Sequence, residues 1–138
     1  MKARSVLAYA WASPNTALGL LVGGLASLAG GRSRVVEGVV EFHGGGVTRL
    51  LGALPVPGRC AALTLGHVVL GCDARTLDQS RPHELVHVAQ YERWGPLFVP
   101  AYLLSSLLAL TRGEDAYGGN AFEKEAELGE VPSDGLRP

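Results

Sequence analysis

The chain has 138 residues, a formal net charge of −1 and a pI near 6.4. This length suffices for one domain with one modest hydrophobic core. Nucleic-acid binding requires a clustered basic surface, which this charge balance does not indicate, so we expect no nucleic-acid partner. Cys60 and Cys72 form neither a CxxC pair nor a Cys-His pair at zinc spacing, and we interpret both as packing residues.

The N-terminal segment from 5 to 31 contains no charged residue. It exceeds the roughly 20 apolar residues that cross a bilayer. Ser13 suits a helix N-cap and Pro14 a first helical position, so the sequence predicts two short helices. Basic residues flank both ends, which favours a shallow hairpin in the membrane with both ends on the cytoplasmic side. We therefore expect membrane contact through residues 5–31.

Two alternatives for this segment remain open. The charged start, the apolar run and the small residues at 27–29 are also typical of a cleaved signal peptide, which would make the protein an exported one. Alternatively, two amphipathic helices pack on the domain of a soluble protein.

Strand-like segments occupy 35–46, 47–54 and 61–73, where β-branched and apolar residues are separated by glycine and proline. They predict a small antiparallel sheet. The glycines at 44–46 are interpreted as a hairpin turn. In the third segment alternate residues face opposite sides of the sheet, and Gly66 permits the close approach of another backbone.

Helices are predicted for the rest of the chain. Asp78, Gln79 or Ser80 can cap a helix over 81–94, and Gly95 with Pro96 ends it. The apolar stretch 97–110 is short for a transmembrane span, so we interpret it as a buried helix. A loop and a last helix follow within 116–130.

The motif HELVH at 83–87 carries the chemistry. On a helix, His83 and His87 lie one turn apart on one face and can bind one metal ion. Zinc accepts two imidazoles and one further protein ligand at a catalytic site and keeps one position for water. Glu84 can then take a proton from the zinc-bound water and later deliver it to a leaving group.

The third ligand must come from elsewhere. Glu92 lies on the same helix but too far along it. Glu123 and Glu127 are four residues apart and share a face of the last helix, whereas Glu125 points elsewhere. The acidic residues after the motif are Glu92, Glu114, Asp115, Glu123, Glu125, Glu127 and Glu130.

The segments HELVHVAQ and NAFEKEAE resemble the gluzincin group of zinc metallopeptidases, and in particular its minimal members. The resemblance spans 61–130 and implies that Glu123 is the third zinc ligand. It implies that Glu127 hydrogen-bonds a zinc-binding histidine, and we expect Asn120 to support the ligands as well. The segment AALTLGHVVL resembles the edge strand against which these enzymes bind extended peptides.

Gluzincins usually stabilise the oxyanion with a downstream His or Tyr. No His follows His87 in this chain, and Tyr102, Tyr117 and Arg112 are the nearby substitutes. Their spacing selects none of the three.

These observations predict an α+β protein with an apolar N-terminal helical segment at 1–34 and a minimal zinc metallopeptidase-like domain at 35–138. The expected function is a zinc-dependent hydrolase with one zinc ion, which acts on a peptide or protein substrate in extended conformation. The alternative is a zinc-stabilised interaction or membrane-anchoring domain without catalytic activity.

Overall fold

The computed structural model describes residues 5–53 and 62–130. The described elements are α1 (Val6–Ser27), β1 (Arg32–Val36), β2 (Val39–His43), α2 (Gly46–Ala53), β3 (Leu63–Leu65), β4 (Val68–Gly71), α3 (Ala74–Trp94), a 3-10 turn (Gly95–Leu97), α4 (Phe98–Thr111) and α5 (Ala121–Glu130). The predicted α+β class is confirmed.

The four strands form one mixed sheet in the order β1-β2-β4-β3. The pairs β1–β2 and β3–β4 are antiparallel, whereas β2 and β4 are parallel. Parallel neighbours need a crossover connection, and α2 lies in the segment between β2 and β4. The sheet is therefore mixed, where the sequence predicted an antiparallel one.

Two local predictions in this part of the chain are wrong. The segment from 47 onward forms α2 instead of a strand, because Val47 and Leu51 are four residues apart and bury one helix face against Phe42. The glycines at 44–46 accordingly lead into α2. The tight hairpin turn lies at Glu37 and Gly38, whose φ values of 53° and 77° suit a two-residue turn between antiparallel strands.

The segment 61–73 contains two short strands, β3 and β4, joined by a turn at Gly66 and His67. Gly66 has a φ of 61° and packs against Thr16 of α1, where an added Cβ would overlap the Thr16 backbone. The predicted close approach at Gly66 is confirmed.

The N-terminal segment is a single helix, α1, and the prediction of two short helices is wrong. Pro14 removes the hydrogen bond that the Ala10 carbonyl would normally accept. The Ser13 hydroxyl donates to that carbonyl at 2.7 Å instead, so the helix continues through the proline.

The motif helix α3 begins at Ala74, well before the predicted cap at 78–80. Asp73 is the N-cap, and its side chain accepts a hydrogen bond from Thr76 N at 2.7 Å. Gly95 ends the helix as predicted, with a φ of 55°.

Helix α4 buries only Phe98 and Ala109, so the prediction of a buried helix is wrong. Leu103, Leu104 and Leu107 are 56–62% exposed. The continuous helical stretch Ala74–Thr111 is long and apolar enough to cross a membrane, and 17% of its apolar part is buried. One such helix is weak support for membrane contact, because core helices of soluble proteins share these properties.

Candidate metal centre

Two helices bring three candidate ligands together. His83 and His87 project from one face of α3, and Glu123 projects towards them from α5. His83 Nε2 lies 3.2 Å from Glu123 Oε2, and His87 Nε2 lies 2.9 Å from Glu123 Oε1. The two Nε2 atoms are 3.2 Å apart. All three side chains are buried.

This geometry fits one metal ion. In tetrahedral zinc sites with ligand bonds near 2.0–2.1 Å, the ligand atoms lie about 3.3 Å from one another. The two Nε2 atoms are 3.2 Å apart, and each lies 2.9 or 3.2 Å from one oxygen of Glu123, His87 from Oε1 and His83 from Oε2, which is close to that value. Two imidazole nitrogens and one carboxylate oxygen are also a donor set that catalytic zinc uses. The cluster can therefore hold a metal ion.

Asn120 fixes the start of α5 and hence the position of Glu123. Its Oδ1 accepts hydrogen bonds from Phe122 N at 2.8 Å and Glu123 N at 3.4 Å, as an N-cap does. Its Nδ2 donates to Tyr102 O and Ser106 Oγ on α4 at 2.9 and 2.8 Å. The fully buried Asn120 thus joins α5 to α4 beside the ligand cluster.

Gln90 orients His87, a contact that the sequence reasoning missed. Gln90 Oε1 lies 2.8 Å from His87 Nδ1, so this nitrogen can donate to it and leave Nε2 free to bind a metal. Gln90 Nε2 donates to Phe122 O at 3.0 Å and to Glu125 Oε1 at 2.8 Å. The spacing of three residues between His87 and Gln90 on one helix is a signal that could have identified this pair.

Glu125 and Glu127 of α5 are both exposed, unlike the buried Glu123. Glu125 contacts Gln90 and also Arg93, at 3.0 Å, and therefore points away from the ligand cluster as predicted. Glu127 is exposed, and the described contact to His87 Nδ1, the ring nitrogen that faces away from the ligand cluster, comes from Gln90. The hydrogen bond between Glu127 and a ligand histidine stays a prediction.

Two tyrosines reach the candidate ligand Glu123. Tyr102 OH donates to Glu123 Oε1 at 3.0 Å, and the Tyr117 phenol lies close enough for this carboxylate to raise its pKa. Burial and the nearby negative charge raise the pKa of both phenols above their ordinary value, so both keep their protons at neutral pH. Arg112, the third candidate for stabilising an oxyanion, pairs instead with Glu114 at 3.3 Å.

Glu84 is buried beside the ligand cluster on the side of α3 that faces the sheet. Thr64 Oγ1 of β3 donates to Glu84 Oε2 at 2.5 Å, and Tyr91 OH donates to Thr64 O at 2.9 Å. Burial raises the pKa of Glu84 above that of an ordinary carboxyl group, and the Thr64 hydrogen bond and the two histidines oppose this shift. The arrangement holds a proton-accepting group in one fixed orientation.

His87 and Glu123 stabilise each other's charged forms. Burial lowers the pKa of His87, but the hydrogen bond and charge of Glu123 outweigh burial and raise it. Burial raises the pKa of Glu123, but hydrogen bonds from His83 and His87 outweigh it and hold that pKa far below the ordinary value. A metal ion would take the place of the proton between these groups.

No protein-family model, curated protein or solved structure matches the chain. The similarity to gluzincins therefore rests on the HELVH motif, the segment 120–127 and the convergence of His83, His87 and Glu123.

Proposed function

We propose that this protein is a small zinc metallopeptidase of the gluzincin type, in which His83, His87 and Glu123 hold one zinc ion. The observation that carries the proposal is the convergence of these three side chains. Each histidine Nε2 lies 2.9 or 3.2 Å from a Glu123 oxygen, the two Nε2 atoms are 3.2 Å apart, and the buried carboxylate of Glu84 lies beside them. A merely structural zinc site would not need this second acidic group.

Zinc at this position would lower the pKa of a water molecule and polarise a substrate carbonyl. Glu84 is the proposed general base, which accepts a proton from the attacking water and delivers it to the leaving amine. Its raised pKa suits this role because it makes Glu84 a stronger proton acceptor than an ordinary carboxylate. Thr64 holds the carboxylate in one orientation.

Tyr102 and Tyr117 are proposed to orient Glu123. Tyr102 donates to this carboxylate at 3.0 Å, Tyr117 lies near it, and both phenols stay neutral at the pH of the reaction. Two side chains from outside α5 restrict rotation of the Glu123 side chain and leave an oxygen directed at the histidines.

The proposed substrate is a peptide in extended conformation that binds along β3. This strand pairs only with β4 in the described sheet and forms one of its two edges. A peptide can add to such an edge through backbone hydrogen bonds. Thr64 of β3 contacts the proposed base, so a peptide on this edge would lie near Glu84.

We also infer membrane contact through residues 5–31, with the domain on the cytoplasmic face. The support is the exposed apolar surface of α1 and the basic residues on both sides of this segment, which are Lys2, Arg4, Arg32 and Arg34.

The second candidate function is a zinc-stabilised interaction or membrane-anchoring domain with an idle site. The substitution Glu84→Gln separates the two, because it removes the base and leaves the three ligands in place. The expected result is full zinc content with hydrolysis of a peptide mixture reduced about 10²- to 10⁴-fold. Glu37→Gln, in the exposed β1–β2 turn, is the matched control and should retain activity. Zinc binding without peptide cleavage by the wild-type protein would refute the peptidase and favour the interaction domain.

A further inference from the structure

The outward faces of α1 and α4 are apolar and carry no charge. No Asp, Glu, Lys or Arg occurs between residues 5 and 31 or between residues 94 and 111. A helix that faces water normally places charged or polar side chains on its solvent side. Here that side carries large apolar residues, including Leu7, Leu21 and Leu25 of α1 and Leu103, Leu104 and Leu107 of α4, which are 56–80% exposed.

Only one side of α1 is available to an apolar environment. Gly19 packs against Leu65 and Val68, and Gly23 packs against the ring of Phe42. An isolated transmembrane span would have to lose these contacts with the sheet. Helix α1 therefore can lie against a membrane while it remains part of the folded domain.

Helix α1 contacts the end of α3 and the 3-10 turn that precedes α4. Trp11 Nε1 donates to Arg93 O at 3.3 Å, and Asn15 Nδ2 donates to Gly95 O at 3.1 Å. Trp11 and Trp94 are both partly exposed at this junction, 46% and 39%. Tryptophan favours the boundary between lipid tails and headgroups. The junction links the two faces into one surface, which we call the α1/α4 surface.

We propose that the α1/α4 surface inserts into one leaflet of a lipid bilayer without crossing it. Helix α4 has 14 residues and is about 21 Å long, shorter than the roughly 30 Å hydrocarbon core. Arg93, at the end of α3, and Arg112, directly after α4, flank the uncharged stretch 94–111, as basic residues do where a helix reaches the headgroups. A helix that pairs with a second copy of the chain typically has a narrow apolar stripe with charged residues on both sides. The outward faces of α1 and α4 carry no charged residue at all, which favours lipid as the partner.

This orientation has a consequence for the substrate, which rests on the proposed function. Tyr102 lies on the side of α4 that faces the protein and donates to Glu123. The exposed leucines of α4 lie on the opposite side. The metal centre would then lie close to the membrane surface. The substrates expected there are extended segments of membrane-bound peptides or proteins.

The test is co-flotation of the full chain with phosphatidylcholine vesicles, with and without phosphatidylserine. Wild-type protein is expected to float with both. The double variant Leu104→Glu, Leu107→Glu should bind at least 100-fold more weakly, because each leucine contributes about tenfold or more to partitioning. Leu128→Glu, on the exposed face of α5 at 73% exposure, is the matched control and should bind like wild type.

Two further measurements separate the alternatives. Binding to the vesicles should persist in about 1 M salt, where the Debye length is about 3 Å and attraction between charges and headgroups is screened. Such attraction is not needed for binding, because Arg93 and Arg112 are paired with Glu125 and Glu114. Binding should also persist in Glu84→Gln, so that failure of the peptidase proposal leaves this result unchanged. The membrane proposal would be overturned if the wild-type protein does not float with vesicles and instead forms a stable dimer that dissociates in the Leu21→Glu variant. Protease cleavage of the chain from both sides of a sealed vesicle would overturn insertion into one leaflet.

Discussion

Gln90 provides a sharp test of how the metal centre is built. Replacement by leucine keeps a similar volume in a fully buried position but removes the acceptor for His87 Nδ1 and the donor to Phe122 O. Loss of such a supporting contact typically weakens metal binding 10- to 100-fold. That range corresponds to about 1.4–2.8 kcal/mol of binding free energy. We expect this loss for Gln90→Leu.

The assay is competition for zinc between the protein and a chromophoric chelator at pH 7. Glu127→Ala is the informative comparison, because the resemblance to gluzincins assigns the supporting role to Glu127, whereas this residue is exposed. The account predicts that the zinc affinity of Glu127→Ala lies within about threefold of the wild-type value. This loss is much smaller than the loss expected for Gln90→Leu. Unchanged affinity in Gln90→Leu, with a large loss in Glu127→Ala, would refute the role given to Gln90.

Two further predictions concern stability. In the metal-free protein the raised pKa of His87 contributes stability that is lost as pH rises above about 6.5. The lowered pKa of Glu123 contributes stability that is lost as pH falls below about 4.3. The free energy of unfolding in urea should therefore be greatest between these pH values, and saturating zinc should remove the loss at high pH. Stability that rises from pH 7 to 9 without metal would contradict this. Gly23→Ala places a carbon 2.9 Å from Phe42 Cγ and should destabilise the protein by about 1–3 kcal/mol. The added carbon of Gly24→Ala meets no atom within 4 Å, so this variant should be neutral or more stable by up to about 1 kcal/mol. Equal thermal denaturation curves for the two variants would contradict the packing of α1 on the sheet.

The sequence was most informative where the signal is local. His83 and His87 share a helix face because of their spacing alone, and the distinction between Glu123 and Glu125 follows from the same periodicity. Gly95 is recognisable as a helix end because a left-handed conformation favours glycine. The convergence of α3 and α5 depends on the fold as a whole, and only the resemblance to gluzincins predicted it.

The errors arose where tertiary contacts override local signals. Pro14 is typical of a helix start, but the Ser13 hydroxyl satisfies the carbonyl that the proline leaves open. Val47 and Leu51 are compatible with a strand by composition and become helical because one face packs on Phe42. Tyr102 and Thr64 are distant in sequence from the residues they contact, Glu123 and Glu84, so no spacing rule identifies them.

The central claim is that His83, His87 and Glu123 bind one zinc ion. Its most direct test is the zinc content and zinc affinity of purified wild type, Glu123→Ala and Glu125→Ala, measured by elemental analysis and chelator competition. The account predicts about one zinc per chain in wild type and its loss in Glu123→Ala. Glu125→Ala should retain zinc. Glu125 accepts from Gln90 Nε2, which also donates to Phe122 O and keeps that bond in the variant. The Gln90 Oε1 atom, which faces His87, does not contact Glu125. Zinc retained in Glu123→Ala and lost in Glu125→Ala would contradict the metal centre described above.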